Sequence, residues 1–161
     1  NVSKAKAAYP LMKTLVLGFS AGCLIGIGAL LCTHVGGSSP ALAAANPGLC
    51  DFLKGAVGLP VGLSLVVLTG GELFTGNVFV MLAGYLNKAV TAGQGLKNWV
   101  ASYSANFAGS LFLAWLSFCA CTMATPPFST AAVKLATGKV RPDSVHAPHT
   151  PCLCRCACTM V

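Results

Sequence analysis

Apolar residues fall in three long runs along this chain. Thr14 to Cys32 holds nineteen residues without a charge, close to the ~20 a helix needs to cross about 30 Å of hydrocarbon. Gly55 to Asn87 is apolar apart from one acid, Glu72. A third run reaches from about Asn98 to Met123, carries Ser102, Ser104, Asn106 and Ser110, and meets Pro126-Pro127. The pattern predicts spans over residues 14–32, 55–87 and 98–123. Between the first two, Gly36 to Pro47 is rich in Gly-Gly, Ser-Pro and Asn-Pro breakers and reads as a loop. Phe128 to Val140 reads as a short helix with Lys134 and Lys139 facing water.

The second run is too long for one straight helix. Its 33 residues would extend about 50 Å at ~1.5 Å per residue, more than ordinary tilt absorbs. The excess falls at Gly70-Gly71-Glu72-Leu73-Phe74-Thr75-Gly76-Asn77, where the sequence turns polar. A helix broken near residues 72–77 is the expectation. Unwound backbone at membrane depth survives only where protein buries it or a cavity wets it, and broken helices often mark permeation sites. In the first span Gly18, Gly22 and Gly26 share one face, as a close helix–helix approach requires. Asn106 is costly against lipid and is expected to face protein or a pore.

Composition sharpens this picture. Hydrophobic residues make up 55% of the 161-residue chain and charged ones 8%, against about a quarter charged in soluble domains. The formal charge of +7 does not form a nucleic-acid face, because Lys4, Lys6, Lys13, Lys88 and Lys97 sit in the gaps between apolar runs. That distribution puts the amino terminus and the Lys88–Lys97 loop on one side, cytoplasmic or its equivalent; Lys134, Lys139 and Arg141 on the far side pull against it. Of nine cysteines, Cys23, Cys32, Cys119 and Cys121 lie in apolar stretches and behave as small hydrophobes. A multi-pass integral membrane protein follows, with plasma membrane and organelle envelope equally open.

The segment GGELFTGNV, Gly70 to Val78, resembles the signature of the formate/nitrite transporter family. Lys97-Asn98-Trp99 with Tyr103, Asn106 and Gly109 resembles the start of that family's third span, and Ala21-Gly22 its first, with some flavour of the eukaryotic nitrite-transporter branch. The resemblance covers roughly residues 3–140. It implies an all-α, aquaporin-like fold of two inverted three-helix repeats, of which this chain supplies the first, with a pore in each subunit and pentameric assembly. Carried over position by position, it implies pore or constriction roles for Leu59, Leu63, Leu73 and Phe74. Thr75 falls at a hydroxyl facing a central histidine, and Lys139 at a vestibule lysine that attracts anions. Glu72, Gly76 and Asn77 belong to the loop itself. The implied partners are nitrite and formate, the lipid bilayer and further copies of the chain. No cofactor and no nucleic acid are implied.

Each of these residues also has a bland reading. Leu59 and Leu63 at helical spacing suit a core or lipid face, and Lys139 alone suits a solvated loop. Glu72 reads better as an N-cap-like acceptor for the second half-helix than as a catalytic group, and Asn106 as an interhelical hydrogen bonder. No nucleophile–base pair or nucleotide-binding glycine loop occurs, so no enzyme is expected.

After Val140 the resemblance stops, and residues 141–161 form a Cys/Pro-rich tail. The family's pore histidine finds no substitute in His34, His146 or His149. A misread gene end, a short isoform regulating full-length subunits without transporting, and a tail with its own task are the accounts weighed. Cys152, Cys154, Cys156 and Cys158 alternate, which makes them weak metal candidates for a small membrane metal protein and compatible with palmitoylation.

Overall fold

The structure is a computed structural model that describes residues 2–140 except Met123; the tail cysteines and histidines lie outside the described residues. Helices α1 (Val2–Ala7), α2 (Leu11–Ser38), α3 (Pro40–Ala45), α4 (Pro47–Thr69), α5 (Phe74–Leu86), α6 (Ala92–Cys119) and α7 (Phe128–Val140) follow in order, with no strand among the described residues.

The helix boundaries differ from the sequence expectation where breakers act as starters. α2 outruns Cys32 by most of two turns and carries Gly36-Gly37 in helical form, with the Phe128 ring lying where a side chain on Gly37 would stand. Pro40 and Pro47 do not sit in one loop. Each opens a helix, at a position where the missing N–H is an orphan anyway. Asn46 accepts from the Leu49 N–H at 3.1 Å to cap α4. The expected break at residues 72–77 falls earlier, at Gly70–Leu73, and Phe74 to Asn77 already form the first turn of α5. Gly70 causes the shift: at φ 67° it ends α4 in the left-handed region that glycine enters without penalty. α6 begins at Ala92, ahead of the expected Asn98, because Thr91 and Gln94 make a reciprocal capping box.

α2 lies between α4 and α6, α5 packs on α6, and α7 rests on α2. Glycines set both central distances. A Cβ on Gly22 would collide with the Asn106 backbone, and one on Gly18 would stand 2.8 Å from the Ala105 Cβ. On the α4 side, a Cβ on Gly58 would lie 2.9 Å from the Cys32 Cα and one on Gly62 3.3 Å from the Gly28 Cα. Gly26 meets the Leu113 side chain on α6. Such approaches bring backbones together where lipid supplies no hydrophobic drive.

The apolar core is small: Ala21, Ile25 and Val66, flanked by Leu24 and Leu73. Large apolar side chains such as Val67, Leu68, Phe79, Trp115 and Phe118 point outward, while Thr14, Glu72, Asn77, Asn98, Ser102 and Asn106 are buried. Apolar groups outside and polar groups inside suit a hydrocarbon solvent. α2 and α4 are long and apolar enough to cross a membrane. α5, with 13 residues, reaches about 20 Å and does not span alone.

Candidate functional site at the helix break

The break between α4 and α5 is bracketed from two sides. Its Glu72 N–H donates to the Leu17 carbonyl of α2 at 3.3 Å. From α6, the Asn106 side-chain amide donates to the Glu72 carbonyl at 2.9 Å and to the Gly18 carbonyl at 3.2 Å. Its oxygen accepts from the Phe74 N–H at 3.2 Å. Asn106 thus joins α2, the break and the start of α5 with one planar group, and is 5% exposed.

Below the turn sits a buried ion pair. The Lys6 ammonium of α1 donates to Glu72 Oε1 at 2.7 Å and to Asn77 Oδ1 at 2.9 Å. Asn77 Nδ2 donates to Glu72 Oε2 at 2.7 Å, and Asn98 Nδ2 reaches the same oxygen at 3.5 Å. The Glu72 side chain is 1% exposed and that of Lys6 19%. Trp99 Nε1 donates to the Asn77 carbonyl at 3.3 Å. A lone carboxylate there would be strongly unfavourable; the ammonium and two amides neutralise and satisfy it. Asn98 Oδ1 is buried without a hydrogen-bond partner among the described residues.

This arrangement corrects two expectations. Glu72 is not a cap for α5: the capping position belongs to Leu73, which offers no side-chain cap, and Asn106 takes the first free amide instead. The Glu72 carboxylate accepts instead from the side chains of Lys6, Asn77 and Asn98. Lys6, read as a loop charge pinning the chain, is in fact the counter-ion of Glu72. Lys6, Asn98 and Trp99 were missed as members of one network. The signal was Glu72 itself, since an acid inside an apolar run requires a partner cation.

The remaining predicted residues are placed as follows. Leu73 and Phe74 are half-buried, and the Phe74 ring stands edge-on to Tyr103 at a centroid distance of 5.3 Å. Thr75 and Gly76 are exposed in the first turn of α5. Leu59 and Leu63 are 48% and 47% exposed on α4, one helical turn apart and beside the glycine face that meets α2. Gly18, Gly22 and Gly26 all abut α6. Lys139 lies in the last turn of α7, and its side chain lies outside the described residues. At the far end of α2, a cleft of ≈ 460 Å³ is lined by residues including Thr33, Lys54, Thr130 and Lys134. Leu59, Leu63, Leu73, Phe74 and Thr75 therefore lie along α4, the turn and α5, whereas Lys139 belongs to the α7 end.

Among known proteins, the chain matches the formate/nitrite transporter family over residues 1–160, a range that takes in the tail set apart above. A probable formate transporter of Methanothermobacter thermautotrophicus is 38% identical over 139 residues, 86% of this chain and 50% of that protein. A formate channel of Bacillus thuringiensis is 41% identical over 115 residues, 71% of this chain and 42% of its own. A formate-nitrite transporter of Entamoeba histolytica is 36% identical over 112 residues, 70% of this chain and 30% of its own. The chain spans half or less of the length of these relatives. Together with the GGELFTGNV turn held between α2 and α6, these matches show that the chain belongs to the formate/nitrite transporter family.

Proposed function

We propose that this chain supplies one repeat of a membrane pore that passes small monovalent anions, formate or nitrite, or their neutral acids. The single observation that carries the reading is the non-helical Gly70–Leu73 turn, set between two apolar helices and held by Asn106. Backbone departs from a helix at membrane depth where protein buries it or a cavity wets it, and in transporters such breaks mark binding and permeation sites.

The chemistry follows from desolvation. Moving a bare anion past apolar side chains such as Leu59, Leu63, Leu73 and Phe74 costs far more than thermal energy. A weak acid escapes that cost by crossing protonated. The Lys6–Glu72 pair supports this reading because it leaves the turn without net charge, so a carboxylate beside the route does not repel an arriving anion. Thr75, exposed one residue after Phe74, offers a hydroxyl that donates to a carboxylate or nitrite oxygen. Lys139 raises the local anion concentration at the mouth through its field, an effect that salt screens. Several copies, five by family resemblance, assemble in a multi-pass arrangement with one route per subunit. The proposal is a transporter and not an enzyme.

Uptake of labelled formate and nitrite into liposomes containing the purified chain tests this. Uptake is expected to saturate and to fall about tenfold in Thr75→Ala, the value of one lost hydrogen bond to a charged solute. In Lys139→Ala the rate is expected to fall at low salt and to approach the parent rate at high salt. Absence of uptake, or a Thr75→Ala rate equal to the parent, defeats the reading.

A further inference from the structure

We propose that Asn106 is a positioning residue that sets the width of the route at Phe74, and with it the size of acid admitted. This rests on the pore reading above and deepens it. Asn106 touches no solute in this scheme; it acts through the backbone of the turn.

Three observations carry the inference. First, the Asn106 amide is committed to the backbone. Both Nδ2 protons go to carbonyls, Gly18 and Glu72, and Oδ1 takes the Phe74 N–H. These are the amide's two donors and one of its acceptor sites, so no other uncharged side chain of that length reproduces the set. Second, the Phe74 ring is referenced to the same helix. Tyr103, three residues before Asn106 and so on the same face, meets the ring edge-on at 5.3 Å. Backbone and ring of Phe74 are thereby both measured from α6. Third, the glycines of α2 bring Asn106 within reach. A Cβ on Gly18 would stand 3.3 Å from Asn106 Nδ2, and one on Gly22 would collide with the Asn106 backbone.

The consequence is specific to geometry. The turn carries its own left-handed glycine and one bond to α2, Glu72 N–H to Leu17 O. On the α5 side Leu73 provides no cap. Without Asn106 the Phe74 amide is orphaned; Asn77, bonded to Glu72, Lys6 and Trp99, still holds the end of that turn, so the loosening falls on Phe74 and its ring. A ring that swings by a fraction of its own width changes the passage for a larger acid more than for formate.

The test compares formate with propionate in liposomes containing the full chain or its Asn106→Leu, Asn106→Asp and Phe74→Ala variants. Amide hydrogen exchange is read on the same preparations. Asn106→Leu keeps the volume and removes all three bonds. Asn106→Asp keeps an acceptor for Phe74 and removes both donors. The formate-to-propionate ratio is expected to drop about fivefold or more in Asn106→Leu and at least as far in Asn106→Asp, whose carboxylate faces the Gly18 and Glu72 carbonyls. Exchange at the Phe74 amide is expected to rise about tenfold in Asn106→Leu, with the middle of α2 and α6 unchanged. In a Phe74→Ala background, Asn106→Leu is expected to leave the ratio where Phe74→Ala put it, because both act through one ring. Equal losses for both acids, or an unchanged Phe74 amide, overturn the proposal. A parent chain that passes neither acid overturns the pore reading and the selectivity claim together. The exchange data then decide by themselves whether Asn106 positions the turn.

Discussion

Lys6 and Glu72 meet across sixty-six positions of sequence at 2.7 Å, with the carboxylate almost fully buried. Removing one partner of such a pair leaves an uncompensated charge. Lys6→Met is therefore expected to lower stability by about 3 kcal/mol, and Lys6→Met combined with Glu72→Gln to recover most of that loss. Thermal unfolding in detergent, read for both variants against the parent, measures the difference. Equal losses in the single and double variants would show that the pair is not what holds α1 in place. Little of this was legible beforehand. Glu72 stands out in an apolar run, but nothing in the spacing says that its counter-ion comes from a six-residue helix at the amino terminus. Asn106 was legible in kind, since a mid-span amide needs protein partners. Its three backbone partners lie on two other segments and are visible only once α2 and α6 are packed.

At the scale of elements, the break and the glycine seams decide the architecture. Gly70 at φ 67° is expected to resist substitution: Gly70→Ala costs about 1–2 kcal/mol of left-handed strain in an otherwise open position. Gly22→Ala places a methyl against the Asn106 backbone and is expected to lower the unfolding temperature further, because the obstacle is main chain and helices must separate to admit it. Gly93→Ala, where a Cβ meets nothing within 4 Å, is expected to be neutral or stabilising by up to about 1 kcal/mol through helix propensity. A Gly22→Ala variant as stable as Gly93→Ala would dismiss the seam.

The length of the second apolar run foretold a break, and the break is present, displaced by a few residues. Length locates an excess only coarsely, whereas the left-handed glycine fixes it. Gly18, Gly22 and Gly26 showed their seam through four-residue spacing. Gly58 and Gly62 have the same spacing and form the second seam against α2. The apolar residues around them, Leu59 and Leu63 among them, mask that spacing in the sequence. Ser-Pro and Asn-Pro read as loop marks, yet at the first turn of a helix proline costs nothing, and α3 and α4 both begin that way.

For the whole molecule, the inversion of burial governs behaviour. The exposed surface carries Val67, Leu68, Phe79, Trp115 and Phe118, and the buried interior carries Glu72, Asn77, Asn98 and Asn106. Family membership and this inversion point the same way, toward a solvent of hydrocarbon. The chain covers half the length of the Methanothermobacter relative.

Labelling at position 75 addresses the turn most directly. In a background with every native cysteine replaced, Thr75→Cys is placed in liposomes and exposed to a small, charged, water-soluble thiol reagent, with and without saturating formate. Modification that formate slows would mean that the first residues of α5 line a watery path shared with the substrate, as proposed here. A thiol that ignores the charged reagent but reacts with a lipid-soluble one would place that face of α5 in hydrocarbon and contradict the account.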